Sequence, residues 1–442
     1  MDGKRIQDDI QRLKTSAIKL SGSSESVRNA LLLSIAEGLT RDWALIRGAN
    51  QEDLKHAKAE LLGEALIKRL VFDEEKLASV QLGLAQVAKL SDPIGEVLER
   101  RLLDEDLLLE RVSFPIGVIG MIFEARPDAL VQIVSLCLKS GNGIILKGGK
   151  EAFRTNTELV ASIKKSAQAS PLGEAWLTLL ESHSDVSLML KMDDEIDLLI
   201  PRGSNAFVRY VMDNTHIAVL GHADGICHMY VDESADLHKA VACAVDSKIQ
   251  YPAACNAIET LLVHKSVSME FLPLVATALE EKGVIIHGDA DTASLISCTP
   301  YKEGDYSLEY LALELNIRVV GDLDQALEHI ALYGSHHTDA IISEDKKTIR
   351  RFMRDVDSAD VFANCSTRFA DGFRFGLGAE VGISTAKIHA RGPVGLSGLM
   401  SSKWLLSGNG QTVSTYSGSG AKPFLHAELS CSGSSLVEGD SL

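Results

Sequence analysis

The sequence predicts an α/β fold built on parallel sheets, and three neighbouring segments carry that expectation. FPIGVIGMIF (residues 114–123) is strand-like, DALVQIVSLCLKSG (128–141) has helical apolar spacing, and GIILKGG (143–149) is a second short apolar run closed by glycines. A strand, a crossover helix and another strand form a βαβ unit, which requires parallel pairing and places a ligand at the carboxyl ends of the strands. The composition agrees: 45% hydrophobic and 24% charged residues describe a packed globular enzyme. A length of 442 residues suggests two or three domains.

Residues 5–90 read as helical scaffold. VRNALLLSIAEGL (27–39) spaces its apolar side chains at the helical period, and SGSSES (21–26) offers capping hydroxyls before it. After the βαβ unit, IDLLIPRGS (196–204), HIAVLGHADG (216–225), ETLLVH (259–264) and GVIIHG (283–288) are further short apolar runs closed by polar residues or glycine. From Ser407 onward Gly and Ser dominate without periodicity, so the final stretch of roughly twenty residues reads as a flexible tail. There is no internal repeat and no heptad pattern.

A net charge of −17 argues against a nucleic acid or an anionic membrane surface as partner, because both would repel the chain at long range. A small anionic substrate is not excluded, since a few local cations set the sign inside a cleft. Seven cysteines, odd in number and without a CxxC pair, read as reduced thiols. No apolar run approaches the ~18 residues of a membrane span, and MDGKRIQDDIQRLK lacks a leader's apolar core. The expected location is the cytoplasm.

SKIQYPAACNAIETLLVH (247–264) sets Cys255 among small residues just before an apolar run. Small neighbours leave the sulfur approachable. Asn256 and a subsequent helix or turn would aim N–H groups at it, lowering the thiol pKa and holding an oxyanion. The same wording also suits a buried structural cysteine. LKGGK, with Lys147, Gly148, Gly149 and Lys150 at a strand end, suits a phosphate or ribose, or else is a solvated basic turn. Gly203 and Ser204, between a strand and a helix start, fit either a pyrophosphate site or an ordinary N-cap. GLGAEVG (376–382) imitates a dinucleotide fingerprint but follows no strand and reads as a loop. The spacing of His222, Cys227, His228, His238 and Cys243 matches no standard zinc site, so no metal is expected. GxSxG and P-loop motifs are absent from the sequence.

Taken in order, FPIGVIGMIFEARPDA, GNGIILKGGKEAFRTN, LLIPRGSNAFVRYV, YPAACNAIETLLVH, YGSHHTDAII and RFGLGAEVGISTAKIHARGPVGL closely resemble the γ-glutamyl phosphate reductases, members of the aldehyde dehydrogenase superfamily. The resemblance is collinear over residues 5 to 405. It implies two Rossmann-type parallel-sheet domains plus a small oligomerisation arm: 1–230 for NADPH binding with part of the arm, 231–365 for catalysis, 366–406 as return segment and arm, and 407–442 as an extension. YPAACNA and WLLSGNGQTVS look like the reductase half of bifunctional pyrroline-5-carboxylate synthetases. Two readings stand, a reductase-only protein or one half of such an enzyme, with glutamate 5-kinase as a partner in either case and a homo-oligomer expected.

The resemblance implies that Cys255 attacks γ-glutamyl phosphate to give a thioester, which NADPH reduces to glutamate 5-semialdehyde. Superfamily members carry a glutamate three residues after the strand-end lysine, for the adenosine 2′-hydroxyl; the pair here is Lys147 and Lys150, which favours a 2′-phosphate. The hydrolytic members' water-activating glutamate has its counterpart in LGHADG (220–225), which has none, so phosphate is the expected exchange partner. The superfamily's oxyanion asparagine falls near Ala125, leaving the Cys255 N–H and an unnamed second donor. Glu309 matches the glutamate that grips the nicotinamide ribose. Arg126, Arg202, Asn256, His337 and Arg368 are candidates for the substrate's phosphate and α-carboxylate.

Overall fold

The computed structural model describes residues 3–124, 126–180, 183–221, 224–432 and 435–436. Five helices open the chain, Gly3–Ser21, Glu25–Arg41, Trp43–Ala59, Glu64–Leu70 and Glu74–Lys89. The apolar stripe foreseen in the second of them is buried at Leu31, Leu32, Ile35 and Leu39, and it packs against the core of the first sheet.

That sheet has four strands in the order Leu177–Leu179, Gly143–Gly148, Val118–Phe123, Leu198–Arg202, all parallel. Both central strands are buried along their whole length, which is why they read as continuous apolar runs and not as alternating ones. Helix Pro127–Lys139 makes the first crossover, with Pro127 in its first turn where a missing N–H costs nothing. The chain moves outward from Val118–Phe123 on one side and then returns to Leu198–Arg202 on the other. The crevice between those two strands is the topological switch point. HIAVL adds only a single bridge, Leu199 to Val219.

The strand-like run 114–123 is divided. Phe114 and Pro115 end an antiparallel arm strand, Leu107–Pro115, and the parallel strand begins afresh at Val118. Gly117 makes the break, with φ of 133° and so little room that a Cβ would lie 2.2 Å from an Asp197 carboxylate oxygen.

The second sheet has seven parallel strands, in the order Thr299–Pro300, Ile285–Gly288, Glu314–Val320, Ile258–His264, Cys227–Val231, Thr338–Ile342, Asp360–Ala363. Helices Leu237–Ile249, Lys265–Glu280, Leu323–Tyr333 and Lys346–Asp355 cover it. The α/β class with two parallel-sheet units and an arm is thus observed.

The arm is an antiparallel sheet of Met400–Ser407, Leu107–Pro115, Val97–Asp104 and Ala427–Glu428. Its last strand corrects the reading of the chain end as a flexible tail. Ala427 and Glu428 pair with Leu102 and Arg101, and the Leu425 N–H donates to Leu103 O at 2.8 Å. A Gly/Ser-rich segment shows no period of its own, and an open sheet edge far back in the sequence orders this one. Residues 437–442 lie outside the described residues.

Candidate active site

A cleft of about 840 Å³ separates the two sheets. One wall is formed by the strand ends of the four-stranded sheet and the adjoining turns, with Phe123, Glu124, Arg126, Arg202, Gly203 and Ser204. The other carries Cys255, Asn256, Glu309, Arg368 and Glu380. Cys255 lies in a turn just before strand Ile258–His264 and just after helix Leu237–Ile249, so the seven-stranded sheet meets the cleft with its amino ends. The general expectation of a ligand at carboxyl ends therefore holds for the first sheet and is reversed for the second.

Four contacts fix the Cys255 turn. The Cys227 thiol donates to Cys255 O at 3.2 Å, Thr367 Oγ1 donates to Asn256 O at 2.6 Å, and Asn256 Nδ2 donates to Ala370 O at 2.7 Å. Gly225 packs flat against the Cys255 backbone, where a Cβ would stand 2.1 Å from Cys255 O. No hydrogen bond among the described residues takes the Cys255 or the Asn256 backbone N–H.

The expected depression of the thiol pKa is not found. Burial pushes the Cys255 thiol up to about 12, the Glu309 and Glu380 carboxylates add to this, and the Arg202 and Arg368 guanidiniums oppose it. Burial is the leading cause, and nothing local offsets it: Cys255 leads into a strand, not a helix amino terminus, and the helix before it has already ended at Ile249.

Glu309 stands in a loop before strand Glu314–Val320. It accepts from Asn205 Nδ2 at 2.5 Å and from the Gly225 N–H, so it ties the start of helix Asn205–Asp213 to the wall that carries Cys255. Arg202 faces Glu380 at 3.4 Å, and Glu380 also accepts from the Gly372 N–H at 2.7 Å. Arg368 is largely buried, donates to Gln250 Oε1 at 2.8 Å and lies 6.0 Å over the Tyr251 ring.

The Aldehyde dehydrogenase family model matches residues 40–302. The gamma-glutamyl phosphate reductase of Ruminiclostridium cellulolyticum is 52% identical over 425 residues, 95% of this chain and 98% of that one. The chain belongs to the γ-glutamyl phosphate reductases, within the aldehyde dehydrogenase family. The crystal structure of the gamma-glutamyl phosphate reductase from Thermotoga maritima superposes with a TM-score of 0.90 at 36% identity, covering 92% of this chain and 99% of that one. An acetylating aldehyde dehydrogenase from Geobacillus thermoglucosidasius, 16% identical with a TM-score of 0.64 over 93% of this chain and 98% of its own, shares the fold.

The reductase family's resemblance named more residues than the cleft gathers. Arg126, Arg202, Gly203, Ser204, Cys255, Asn256, Glu309 and Arg368 all line it. His337 does not. It is wholly buried at the start of strand Thr338–Ile342, with Nδ1 against Thr338 Oγ1 at 2.8 Å, and strand Cys227–Val231 separates its strand from Ile258–His264, the one that follows Cys255. Lys147 also differs from expectation, because its side chain is buried and Nζ donates to Gly148 O at 2.6 Å. Gly148, Gly149 and Lys150 come next at the same sheet end but outside the cleft lining. Lys150 is 71% exposed, 3.6 Å from Glu60. Ala125, and His222 and Ala223 of LGHADG, lie outside the described residues.

Two carboxylates were missed. Glu124 accepts from the Ser204 N–H at the start of helix Asn205–Asp213, and a Cβ on Gly203 would come within 3.0 Å of it. Glu380 belongs to GLGAEVG, the segment set aside as a failed fingerprint; it is indeed a loop, and the loop delivers its glutamate to the cleft. Among the described residues no group of three or more His, Cys, Asp or Glu is arranged to hold a metal ion, and no helix is long and apolar enough to cross a membrane.

Proposed function

We propose that the chain reduces γ-glutamyl phosphate to glutamate 5-semialdehyde and phosphate with NADPH, the reductive step of proline biosynthesis, through a thioester on Cys255. The observation that carries this reading is the meeting of Cys255, Arg202, Arg368 and Glu309 in one cleft at a topological switch point. The residues present fit the cofactor. Gly203 and Ser204 open a helix at the switch crevice, where a Cβ on Gly203 would crowd Glu124 and Phe207, and Glu309, lining the same cleft, is the residue to which we assign the ribose. Lys150, exposed and held only by a surface ion pair, is free to meet a 2′-phosphate.

Cys255 loses its proton to Glu380, whose own carboxyl burial pushes up, and the thiolate attacks the acyl carbon. The untaken N–H groups of Cys255 and Asn256 receive the oxyanion. The C–O bond to phosphate breaks, and Arg126, Arg202 and Arg368 divide the phosphate and the α-carboxylate between them. When bound, NADPH supplies the hydride that reduces the thioester carbon. The resulting thiohemiacetal collapses to aldehyde, returning the electron pair to sulfur. An acyl phosphate is short-lived in water, which favours supply by a glutamate 5-kinase close at hand.

The reaction run in reverse is the test. Oxidation of the semialdehyde by NADP⁺ should require inorganic phosphate, because phosphate must attack the thioester. Equal rates with and without phosphate would mean that water is the acceptor, with Glu380 as its base, and would overturn the phosphorylating reading.

A further inference from the structure

Beneath the nucleophile's wall lies a buried ion pair with no part in the chemistry above. Lys248, near the end of helix Leu237–Ile249, and Glu259, in strand Ile258–His264, flank the Cys255 turn. Their Nζ and Oε2 are 2.7 Å apart, with side chains 0% and 1% exposed. Lys248 Nζ also donates to Ile258 O at 3.0 Å, so the base of the turn is closed by both a side-chain and a backbone contact. The Glu259 carboxylate also faces the Leu311 N–H, and its Oε1, buried, has no hydrogen-bond partner among the described residues. Leu311 lines the cleft two residues after Glu309 and holds a left-handed backbone, φ 53°. A leucine adopts that conformation only where its surroundings impose it.

A buried ion pair is weak evidence of stabilisation, because apolar side chains of similar volume commonly do as well or better. What apolar side chains lack is direction. Here one pair fixes two backbone points, the helix end and the first residue of the strand, and sets the Glu259 carboxylate against the strained loop of Glu309. We infer that Glu259, anchored by Lys248, is a positioning residue that sets the separation between the Cys255 sulfur and the ribose-gripping Glu309. The inference rests on the function proposed above for those two groups. Burial pushes the Glu259 carboxyl up and the Lys248 ammonium down, and each partner opposes the other's shift.

Two substitutions in the full chain separate geometry from charge. Glu259→Gln keeps the length and an oxygen facing Leu311 while removing the charge. Glu259→Asp keeps the charge and withdraws the carboxyl by one methylene. Positioning predicts that E259Q stays within about fivefold of the parent in kcat, whereas E259D loses about a hundredfold with a raised KM for NADPH, the scale expected when reacting groups shift by about an ångström. The reverse order, an E259D equal to the parent, or an E259Q as impaired as E259D, overturns the inference. Alkylation of Cys255 by iodoacetamide, mapped by mass spectrometry, reads the same geometry without substrate. It should quicken about tenfold in E259D, as the loosened turn admits solvent, and not in E259Q. An unchanged alkylation rate in E259D overturns the positioning role even if the parent proves inactive on γ-glutamyl phosphate, which would instead defeat the proposed reaction.

Discussion

The two parallel sheets present opposite ends to the cleft, and the chemistry of each wall derives from that. The four-stranded sheet offers carboxyl ends and then the amino terminus of helix Asn205–Asp213, whose free N–H groups suit an anion; a carboxylate, Glu124, already rests there. The seven-stranded sheet offers amino ends, so Cys255 sits beyond a helix carboxyl terminus and gains no such help. Anchoring differs too. Glu124, Arg126 and Lys150 are exposed, while the Cys255 turn is fixed by Cys227, Thr367 and Ala370. On the proposed reaction, the exposed wall receives ligand and the anchored wall performs chemistry.

The largest effect should come from the anchored wall alone. Cys255→Ser should lower turnover by about a thousandfold or more, since a serine hydroxyl in this setting has no base strong enough to ionise it. NADPH affinity, monitored by fluorescence titration, should change by less than about twofold, because the exposed wall is intact. A parallel loss of NADPH binding would show that the walls are not separable.

The thiol's high pKa gives a second test of the same division. An unfolded cysteine ionises near about 8.5, whereas the folded Cys255 is pushed up to about 12. The folded state therefore disfavours thiolate, and this group costs stability as pH rises above the unfolded value. In the free protein, iodoacetamide labelling of Cys255 should rise about tenfold per pH unit from 7 to 10. A plateau near pH 7 would place the thiolate already in the resting site.

On the exposed wall, Lys150→Glu should move the preference from NADPH toward NADH by about tenfold in the ratio of kcat/KM values, because an attractive ammonium is replaced by a repelling carboxylate. The present partner Glu60 offers little resistance, as an exposed pair contributes at most about 1 kcal/mol. An unchanged ratio would move the 2′-phosphate to another residue.

The features legible in the sequence divide along the same line. Strands Val118–Phe123, Gly143–Gly148 and Ile258–His264 announced themselves because burial on both faces leaves continuous apolar runs. The small residues around Gly203, Ser204 and Cys255 left a structural reading open at each, and the family resemblance singled them out; the structure brings all three to the cleft. The orientation of the second sheet was not legible. Nothing in YPAACNAIETLLVH says which end of its sheet the turn shares with the cleft, nor how deeply the thiol is buried, and burial sets the sign of its shift. Glu380 and Glu259 escaped because each reaches the site's neighbourhood only through tertiary packing. His337 was misplaced because a histidine inside a family-like stretch says nothing of which way it faces.

The arm provides the smallest effect and a check that the cleft's rigidity is local. The Asp104 carboxylate accepts from Tyr416 Oη at 2.6 Å, Lys422 Nζ at 2.7 Å and the Glu105 N–H at 2.8 Å, which hold its carboxyl down to about 2. A depressed folded pKa contributes stability above the unfolded value near about 4, and that contribution disappears as pH falls toward about 2. At neutral pH the clamp is complete, and it fastens the segment leading to strand Ala427–Glu428 onto the arm. Asp104→Ala should speed amide hydrogen exchange across residues 413–429, an effect confined to a segment whose loose end is already solvent-facing. Turnover should stay within about twofold, because nothing in that segment lines the cleft. A larger loss of turnover would mean that the anchored wall draws its rigidity from the arm as well as from its own buried contacts.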